Sequence, residues 1–339
     1  MYTFIDLFSG AGGFLRGFLD AGFKPVLAVE NWKPAVETHK VNYPKVPIID
    51  KDIRGISDID LIEYRGKVDA IIGGSPCQGF STMGKMDKND PRNTLIFEFI
   101  RFVKIIQPKV FIMENVKGIV ETGKGKIKDT IIKEFDSIGY NVEYQILCAA
   151  DYGVPQLRQR IFFIGTRKDL NIRPSFPVPT YTPDNYITVG SAIMDLVGKE
   201  GLISNHKPIK HKKIVIERMS YIKEGEGIPK EGLPEHVAHS VRSDFANNKI
   251  KNFSHVYKRL SRYKPSNTVV PGHSAFPIHS TENRLLTVRE AARLQTFTDD
   301  VVFIGRKQDQ CTMVGNAVPV KLAYELARHA KDMLDLTSK

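Results

Sequence analysis

The chain has 339 residues, 42% of them hydrophobic and 26% charged, which is typical of a globular protein large enough for two domains. It has no apolar run of about 18 residues and no cationic, hydrophobic leader, so we expect it neither to span a membrane nor to be secreted. The reducing cytoplasm is the expected compartment. The net charge of +11 favours a negatively charged partner.

The first half of the chain has the pattern of an α/β fold. Residues 1–166 alternate short apolar runs with helical stretches, which predicts a parallel sheet covered by helices. We predict strands at 2–8, 26–30, 110–113 and 161–165, and helices at 12–20 and 95–106.

The pattern changes in the second half. Prolines interrupt 167–285, where periodicity is weak, and this predicts a second, smaller, irregular domain. Helical patterns then return, with a capping box from Thr287 to Glu290 and one apolar helix face within 318–334. We therefore expect one domain of residues 1–166 plus 286–339 and a second domain of residues 167–285.

Most of the excess positive charge lies in part of the second domain. Residues 205–264 contain 14 Lys and Arg against six Asp and Glu, a net charge of +8. A concentrated basic segment is expected of a protein that binds a phosphate backbone. A solvated basic surface without a partner is the alternative.

One cysteine lies in a loop where packing does not require it. The apolar run 68–72 predicts a buried strand, Gly73 and Gly74 end it, and Pro76 precedes Cys77. Open α/β sheets bind ligands beyond the carboxyl ends of their strands, so Cys77 is placed for nucleophilic attack. The alternative is a small buried hydrophobic residue.

The remaining cysteines and the histidines do not predict a metal site. Cys148 and Cys311 are typical of core residues, and the three cysteines form no Cys-x-x-Cys pair. Five histidines are close in sequence, but they lack the spacing of metal ligands. We expect solvated surface positions for His206, His211, His236, His239 and His255.

A glycine-rich turn follows the first predicted strand. Residues 6–14 read Asp-Leu-Phe-Ser-Gly-Ala-Gly-Gly-Phe, where glycines let a ligand approach the backbone and a helix N-terminus favours a negative group. Glu30 lies 20 residues after Gly10, the spacing at which an acid binds ribose hydroxyls in nucleotide folds. A nicotinamide dehydrogenase is the alternative, although Leu15 replaces the third glycine of that fingerprint.

Charged side chains follow the later strands. Glu114 comes directly after the strand at 110–113 and would face the same crevice as Cys77; a helix cap or a surface acid is the alternative. Arg158 and Arg160 alternate, so an extended backbone would place both guanidinium groups on one side. There they could clamp a carboxylate or a planar polar base.

Four motifs follow one another along the chain: Gly-Gly-Ser-Pro-Cys-Gln-Gly-Phe-Ser at 73–81, Glu-Asn-Val at 114–116, Gln-x-Arg-x-Arg at 156–160 and Gly-Asn-Ala-Val-Pro at 315–319. In this order they resemble the DNA (cytosine-5)-methyltransferases of prokaryotic restriction-modification systems, and 6–14 resembles the S-adenosylmethionine loop of that family. The resemblance implies an α/β fold with a Rossmann-like, S-adenosylmethionine-dependent methyltransferase sheet. The irregular segment 167–285 then corresponds to the smaller target-recognition domain.

The resemblance implies a role for each catalytic residue. Cys77 would add as a thiolate to C6 of cytosine, which makes C5 nucleophilic enough to take a methyl group. Glu114 would contact N3 and the exocyclic amine, and Arg160, with Arg158, would hold the base oxygen and orient Glu114. The sequence does not identify the base that removes the C5 proton.

The resemblance also implies S-adenosylmethionine as the cofactor. Glu30 would bind the ribose, and Trp32 would cover the adenine, although the intervening Asn31 departs from the family pattern and leaves a packing role open for Trp32. The residues expected to bind the cofactor are Phe8, Ser9, Gly10, Ala11, Gly13, Phe14, Glu30, Asn31, Trp32, Asp52, Ile53, Pro76, Leu95, Asn316 and Val318.

The expected partner is double-stranded DNA. We expect the protein to bind it as a monomer without a metal ion, and methylation to protect the DNA from a partner endonuclease. The polar stretch 81–94 would close over DNA from which the target cytosine is flipped out. The residues expected to contact DNA are Gln78, Ser81, Lys85, Arg92, Lys212 and Lys258. Cytosine-5 methylation of transfer RNA and a catalytically silent nucleic-acid-binding relative are the alternatives.

Overall fold

The computed structural model describes residues 1–76, 94–120, 126–229, 231–246, 257–272 and 275–338. In these ranges the strands, β1 to β9 in chain order, are Thr3–Leu7, Lys24–Glu30, Ile48–Asp50, Ala70–Gly74, Val110–Val116, Tyr140–Cys148, Gln156–Leu157, Gln159–Arg167 and Ser266–Asn267. The helices, α1 to α11, are Gly13–Asp20, Lys33–Asn42, Asp58–Ile62, Thr94–Ile106, Lys126–Ser137, Val189–Ile193, Lys213–Ser220, Glu235–Ala246, Val288–Leu294, Lys307–Asn316 and Val320–Asp335.

Seven strands form one sheet in the order β3-β2-β1-β4-β5-β8-β6. The strands from β3 to β5 pair in parallel, whereas β8 is antiparallel to both β5 and β6. The predicted parallel sheet is therefore confirmed from β1 to β5 and wrong at β8. The connection 149–158 is shorter than the crossover of about a dozen residues that a parallel return needs, so the chain re-enters the sheet antiparallel.

Aromatic and aliphatic side chains fill the space between the sheet and its helices. Val110–Val116 is buried along most of its length, and Phe111 stacks on Phe135 of α5 with ring centroids 3.9 Å apart. Phe99 of α4 packs edge-on against both rings. This core fixes the strand ends from which the functional side chains project.

The predicted C-terminal helices are confirmed. Thr287 caps α9 by accepting a hydrogen bond from the N–H of Glu290, whose side chain accepts in return from the N–H of Thr287. In α11 the predicted apolar face is buried. None of the helices in the described ranges is long and apolar enough to span a membrane.

The chain forms two compact units. The first comprises Met1–Cys148, Gln159–Thr180 and Ala317–Lys339, and the second comprises Ala149–Arg158 and Tyr181–Asn316. The seven-stranded sheet belongs to the first unit, and residues 286–316, which we expected in the catalytic domain, belong to the second. The functional division at 167–285 remains a prediction, because compactness does not say which residues recognise DNA.

Candidate active site

The loop between β1 and α1 has a backbone that few sequences adopt. Phe8, Gly10 and Gly12 have φ angles of 57°, 55° and 79°, in the left-handed region that favours glycine. Ser9 holds the loop by donating its N–H to the Val29 carbonyl, 3.2 Å away, while its carbonyl accepts from the Gly12 N–H. We call residues 8–12 the cofactor loop, because this is the predicted cofactor site.

Glu30 ends β2 beside the cofactor loop. Its Oε2 accepts a hydrogen bond of 2.8 Å from the Gly10 N–H, and its Oε1 accepts from the N–H groups of Asn31 and Trp32. Glu30 and the glycine-rich turn are therefore neighbours in the structure, and their binding of the cofactor remains a prediction. Glu30 also stabilises the loop itself, a role that its sequence spacing does not reveal.

Glu114 and Arg160 form an ion pair. Arg160 Nε lies 3.1 Å from Glu114 Oε1, and both side chains are largely buried. Glu114 is the cross-strand neighbour of Gly74, where a Cβ would lie only 3.0 Å from Glu114 Oε2. Glycine at this position therefore leaves room for the carboxylate.

Asn115 links the Glu-Asn-Val motif to the end of β4. Its Nδ2 donates to the Ser75 carbonyl at 3.1 Å and to the Ser75 hydroxyl at 3.2 Å, and all three groups are buried. Ser75 precedes Cys77 by two residues. This contact was not predicted from the sequence. The available signal was the amide of Asn115, which directly follows Glu114 and needs a hydrogen-bond partner when it is buried.

Arg158 lies between β7 and β8 and donates its N–H to the Gln156 carbonyl, so the extended backbone that would place both arginines on one side is interrupted there. Its guanidinium is buried and donates to the carbonyls of Val269, Gly315 and Asn316 at 3.3, 3.0 and 3.5 Å. It joins the Gln-x-Arg-x-Arg and Gly-Asn-Ala-Val-Pro motifs within the second unit. Its action on the base remains a prediction.

The other predicted cofactor residues have varied surroundings. Trp32 is half-buried at the start of α2. Arg54 donates to Asp52 and holds the pKa of that carboxyl at about 2, while Ile53 is buried. The remaining placements are: Ala11, Gly13, Phe14 and Val318 buried, Pro76 and Leu95 half-buried, and Asn31 and Asn316 exposed.

Several predicted residues lie outside the described ranges. These are Cys77, Gln78, Ser81, Lys85 and Arg92, together with most of the stretch 81–94. Lys212 is exposed at the N-terminus of α7. Lys258 is half-buried and forms an isolated antiparallel bridge with Gly227.

One predicted surface histidine is buried. His206 contacts the Thr287 hydroxyl and the Leu196 carbonyl, each at 2.9 Å, so its expected solvation was wrong. His206 is a buried polar residue of the core, and both of its ring nitrogens have hydrogen-bond partners. Among the described residues, no group of three His, Cys, Asp or Glu side chains is arranged to hold a metal ion.

The sheet order, the glycine-rich turn after β1 and the acid at the end of β2 define an S-adenosylmethionine-dependent methyltransferase fold. A solved E. coli structure described as a prophage-encoded DNA modification methyltransferase matches it with a TM-score of 0.78 and 27% identity, over 99% of this chain and 100% of that one. The S. pombe Dnmt2 methyltransferase shares the fold at a TM-score of 0.64, 17% identity, and 99% and 100% coverage.

The sequence profile of the C-5 cytosine-specific DNA methylases matches residues 2–332, and the chain belongs to this family. Type II methyltransferase M1.HphI of Haemophilus parahaemolyticus is 42% identical, over 96% of this chain and 85% of its own length. M.DdeI of Desulfomicrobium norvegicum is 38% identical, over 95% and 87%. The protein is a DNA (cytosine-5)-methyltransferase.

Proposed function

We propose that this enzyme transfers a methyl group from S-adenosylmethionine to C5 of a flipped cytosine in DNA through a covalent bond to Cys77. The observation that carries the proposal is the Glu114–Arg160 ion pair beside the end of β4, the strand that leads to Cys77. A carboxylate and a guanidinium in this arrangement can bind the polar edge of cytosine while a thiolate attacks the ring.

The chemistry assigns one task to each residue. The Cys77 thiolate adds to C6, and electron density moves to C5, which takes the methyl group as its bond to the sulfonium sulfur breaks and S-adenosylhomocysteine is left. Glu114 binds the N3 edge and stabilises the ring as it accepts electrons, while Arg160 keeps the carboxylate oriented. A base then removes the C5 proton, and the Cys77–C6 bond breaks to release 5-methylcytosine.

Three features of the first unit fit the cofactor. Gly10 and Gly12 bring the loop backbone close to an incoming ligand, Glu30 offers its carboxylate beside that loop, and the buried Asp6 Oδ1 has no hydrogen-bond partner among the described residues. When bound, S-adenosylmethionine supplies an activated methyl group on a positively charged sulfur. Glu30 would bind the ribose hydroxyls, and the loop backbone would hold the methionine end.

Double-stranded DNA is the proposed substrate, and protection from a partner endonuclease is the proposed purpose. Relatives at 38–42% identity are named type II methyltransferases, and residues 205–264 carry a net charge of +8, which suits a phosphate backbone. Transfer-RNA methylation on the same scaffold remains the second candidate, because the basic segment 205–264 would suit an RNA phosphate backbone as well.

A covalent trap tests the mechanism. Fluorine at C5 cannot be eliminated, so duplex DNA with 5-fluorocytosine at the target should form a denaturation-resistant complex with wild-type enzyme and S-adenosylmethionine. Cys77→Ser should form none, because an alcohol is scarcely ionised at neutral pH, whereas the matched Cys148→Ser variant should still form it. A complex in Cys77→Ser that equals the wild-type yield would refute the assigned nucleophile.

A further inference from the structure

A buried acid lies in the strand that leads to the cofactor loop. Asp6 belongs to β1, where Ala28 and Ile72 flank it in the neighbouring strands, and it is 1% exposed. Its Oδ2 accepts a 2.9 Å hydrogen bond from the Ser9 hydroxyl, and its Oδ1 has no partner among the described residues. Burying a carboxyl group with one oxygen unpaired costs free energy, so packing alone does not explain why an acid occupies this position.

Ser9 connects Asp6 to the backbone of the cofactor loop. Besides bonding Asp6, it donates its N–H to Val29, and its carbonyl accepts from Gly12. Phe8, the preceding residue, has a φ of 57°, and the left-handed region is strained for a residue other than glycine. The hydrogen bonds of Ser9 hold this strained turn in place.

We propose that Asp6 is a positioning residue for the cofactor loop: it braces Ser9 and releases a proton when the positively charged cofactor binds. The inference rests on the proposed function, because it takes S-adenosylmethionine as the ligand. A sulfonium that arrives beside the loop stabilises a carboxylate. The ionised carboxylate in turn accepts a stronger hydrogen bond from Ser9.

The surrounding charges favour a protonated Asp6 before the cofactor binds. Burial, with Glu30 on β2 adding to it, raises the pKa of Asp6 to about 8, although the Ser9 hydroxyl and the Leu15 N–H oppose the shift. On α1, Arg16 and Asp20 pair with each other at the surface. The run Ala70–Gly74 of β4 contains no titratable residue.

On the neighbouring helix α2 the cationic side chains lie at the surface: Lys33 and Lys40 are exposed, and Lys40 lies 3.9 Å from Glu37 of the same helix. His39 bonds the Val46 carbonyl through Nε2, and burial lowers its pKa, so it is neutral at neutral pH. Tyr43 directs its hydroxyl to the Gly12 carbonyl at 3.5 Å. Among the described residues no cationic side chain acts on the pKa of Asp6, and the cofactor would bring one.

Proton release measured by titration calorimetry tests the inference on the intact protein. S-adenosylmethionine is titrated at pH 7 in two buffers of different ionisation enthalpy, and S-adenosylhomocysteine, whose sulfur is neutral, is the comparison ligand. Wild type should release about one proton more than Asp6→Asn on binding S-adenosylmethionine. With S-adenosylhomocysteine the two proteins should differ little. Because both are titrated with the same ligand, the ligand's own amino group cancels.

Two further variants complete the design. Asp20→Asn removes a surface carboxylate from the adjacent helix and should behave as wild type. Ser9→Ala keeps Asp6 but removes the brace, and should weaken S-adenosylmethionine binding about tenfold, the scale of a hydrogen bond to a charged group. It serves in place of Asp6→Asn if that variant does not fold.

Equal proton release in wild type and Asp6→Asn, with binding intact, overturns the inference and leaves the proposed function standing. An unchanged S-adenosylmethionine affinity in Ser9→Ala would show that the hydrogen bond between Ser9 and Asp6 does not position the cofactor loop. Failure of wild type to bind either ligand overturns the proposed function as well.

Discussion

Arg160 and Glu114 are diagonal neighbours across β8 and β5, and their side chains meet with Nε and Oε1 3.1 Å apart. Glu114 pairs with Phe162 and Arg160 with Val116 in the antiparallel register, so both project from the same face of the sheet. The pair therefore depends on the antiparallel return of β8. A one-residue slip would separate the two side chains.

Loss of either member of this pair should lower turnover far more than cofactor affinity. Arg160→Met and Glu114→Gln should each reduce single-turnover methyl transfer by roughly 100-fold or more, the scale for one placed electrostatic stabiliser. The fold-loss in the double variant should be much smaller than the product of the two single fold-losses, because the residues act as a unit. Multiplicative losses, or a selective loss of S-adenosylmethionine affinity, would contradict this assignment.

Asn115→Ala should impair catalysis through the end of β4. The change removes both hydrogen bonds to Ser75 and leaves buried polar groups unpaired, so we expect about 1–3 kcal/mol of lost stability and slower methyl transfer. Urea unfolding and single-turnover kinetics measure the two effects, with exposed Asn141→Ala as the matched control. A stable variant with wild-type kinetics would show that this contact does not position Cys77.

Glu30→Ala should weaken cofactor binding while sparing chemistry at saturation. Charged hydrogen bonds to ribose and the bond from Gly10 are lost together. We therefore expect calorimetry to show a loss of about 1.5–3 kcal/mol in the free energy of cofactor binding. Glu37→Ala, on the next helix, is the control. Unchanged affinity in Glu30→Ala would mean that the nucleotide site lies elsewhere.

Asp6 should make stability depend on pH in a defined direction. Its pKa in the folded protein is about 8, above the ordinary value of about 4, so the folded protein holds a proton that the unfolded chain releases. The stabilising contribution is greatest at low pH and is lost as pH rises to about 8. The free energy of unfolding of wild type minus that of Asp6→Asn should fall by at least about 1 kcal/mol between pH 5.5 and 9. A constant or rising difference would be inconsistent with the burial of an ionisable Asp6.

Lys212→Ala should weaken binding to all DNA sequences alike. Lys212 is exposed at the start of α7, and a lysine that contacts a phosphate changes the slope of log affinity against log salt by about one. Fluorescence titrations over a salt series measure the slope, with Lys331→Ala as the control. Equal slopes in the two variants would show that Lys212 does not contact a DNA phosphate.

Local patterns predicted the elements and much of the candidate site. The glycine turn, the acid 20 residues beyond Gly10 and the Thr287 cap each express backbone chemistry within a short run, so the sequence reveals them. Glu114 was located because the carboxyl ends of neighbouring parallel strands meet at one edge of a sheet.

Contacts between distant segments could not be read in this way. The burial of His206 depends on Thr287, 81 residues away, and the carbonyl partners of Arg158 lie 111 to 158 residues from it. Periodicity also does not distinguish a parallel strand from an antiparallel one when both are buried, as β8 is. These features follow from tertiary packing, which no short run of residues encodes.

The most direct test of the central claim is to identify the methylated base. Purified enzyme is incubated with labelled S-adenosylmethionine and either genomic DNA or total transfer RNA, and the nucleosides are separated after digestion. We predict label in 5-methylcytosine from DNA, with none above background in transfer RNA or in DNA treated with Cys77→Ser. Label in N4-methylcytosine or N6-methyladenine, or in transfer RNA alone, would contradict it.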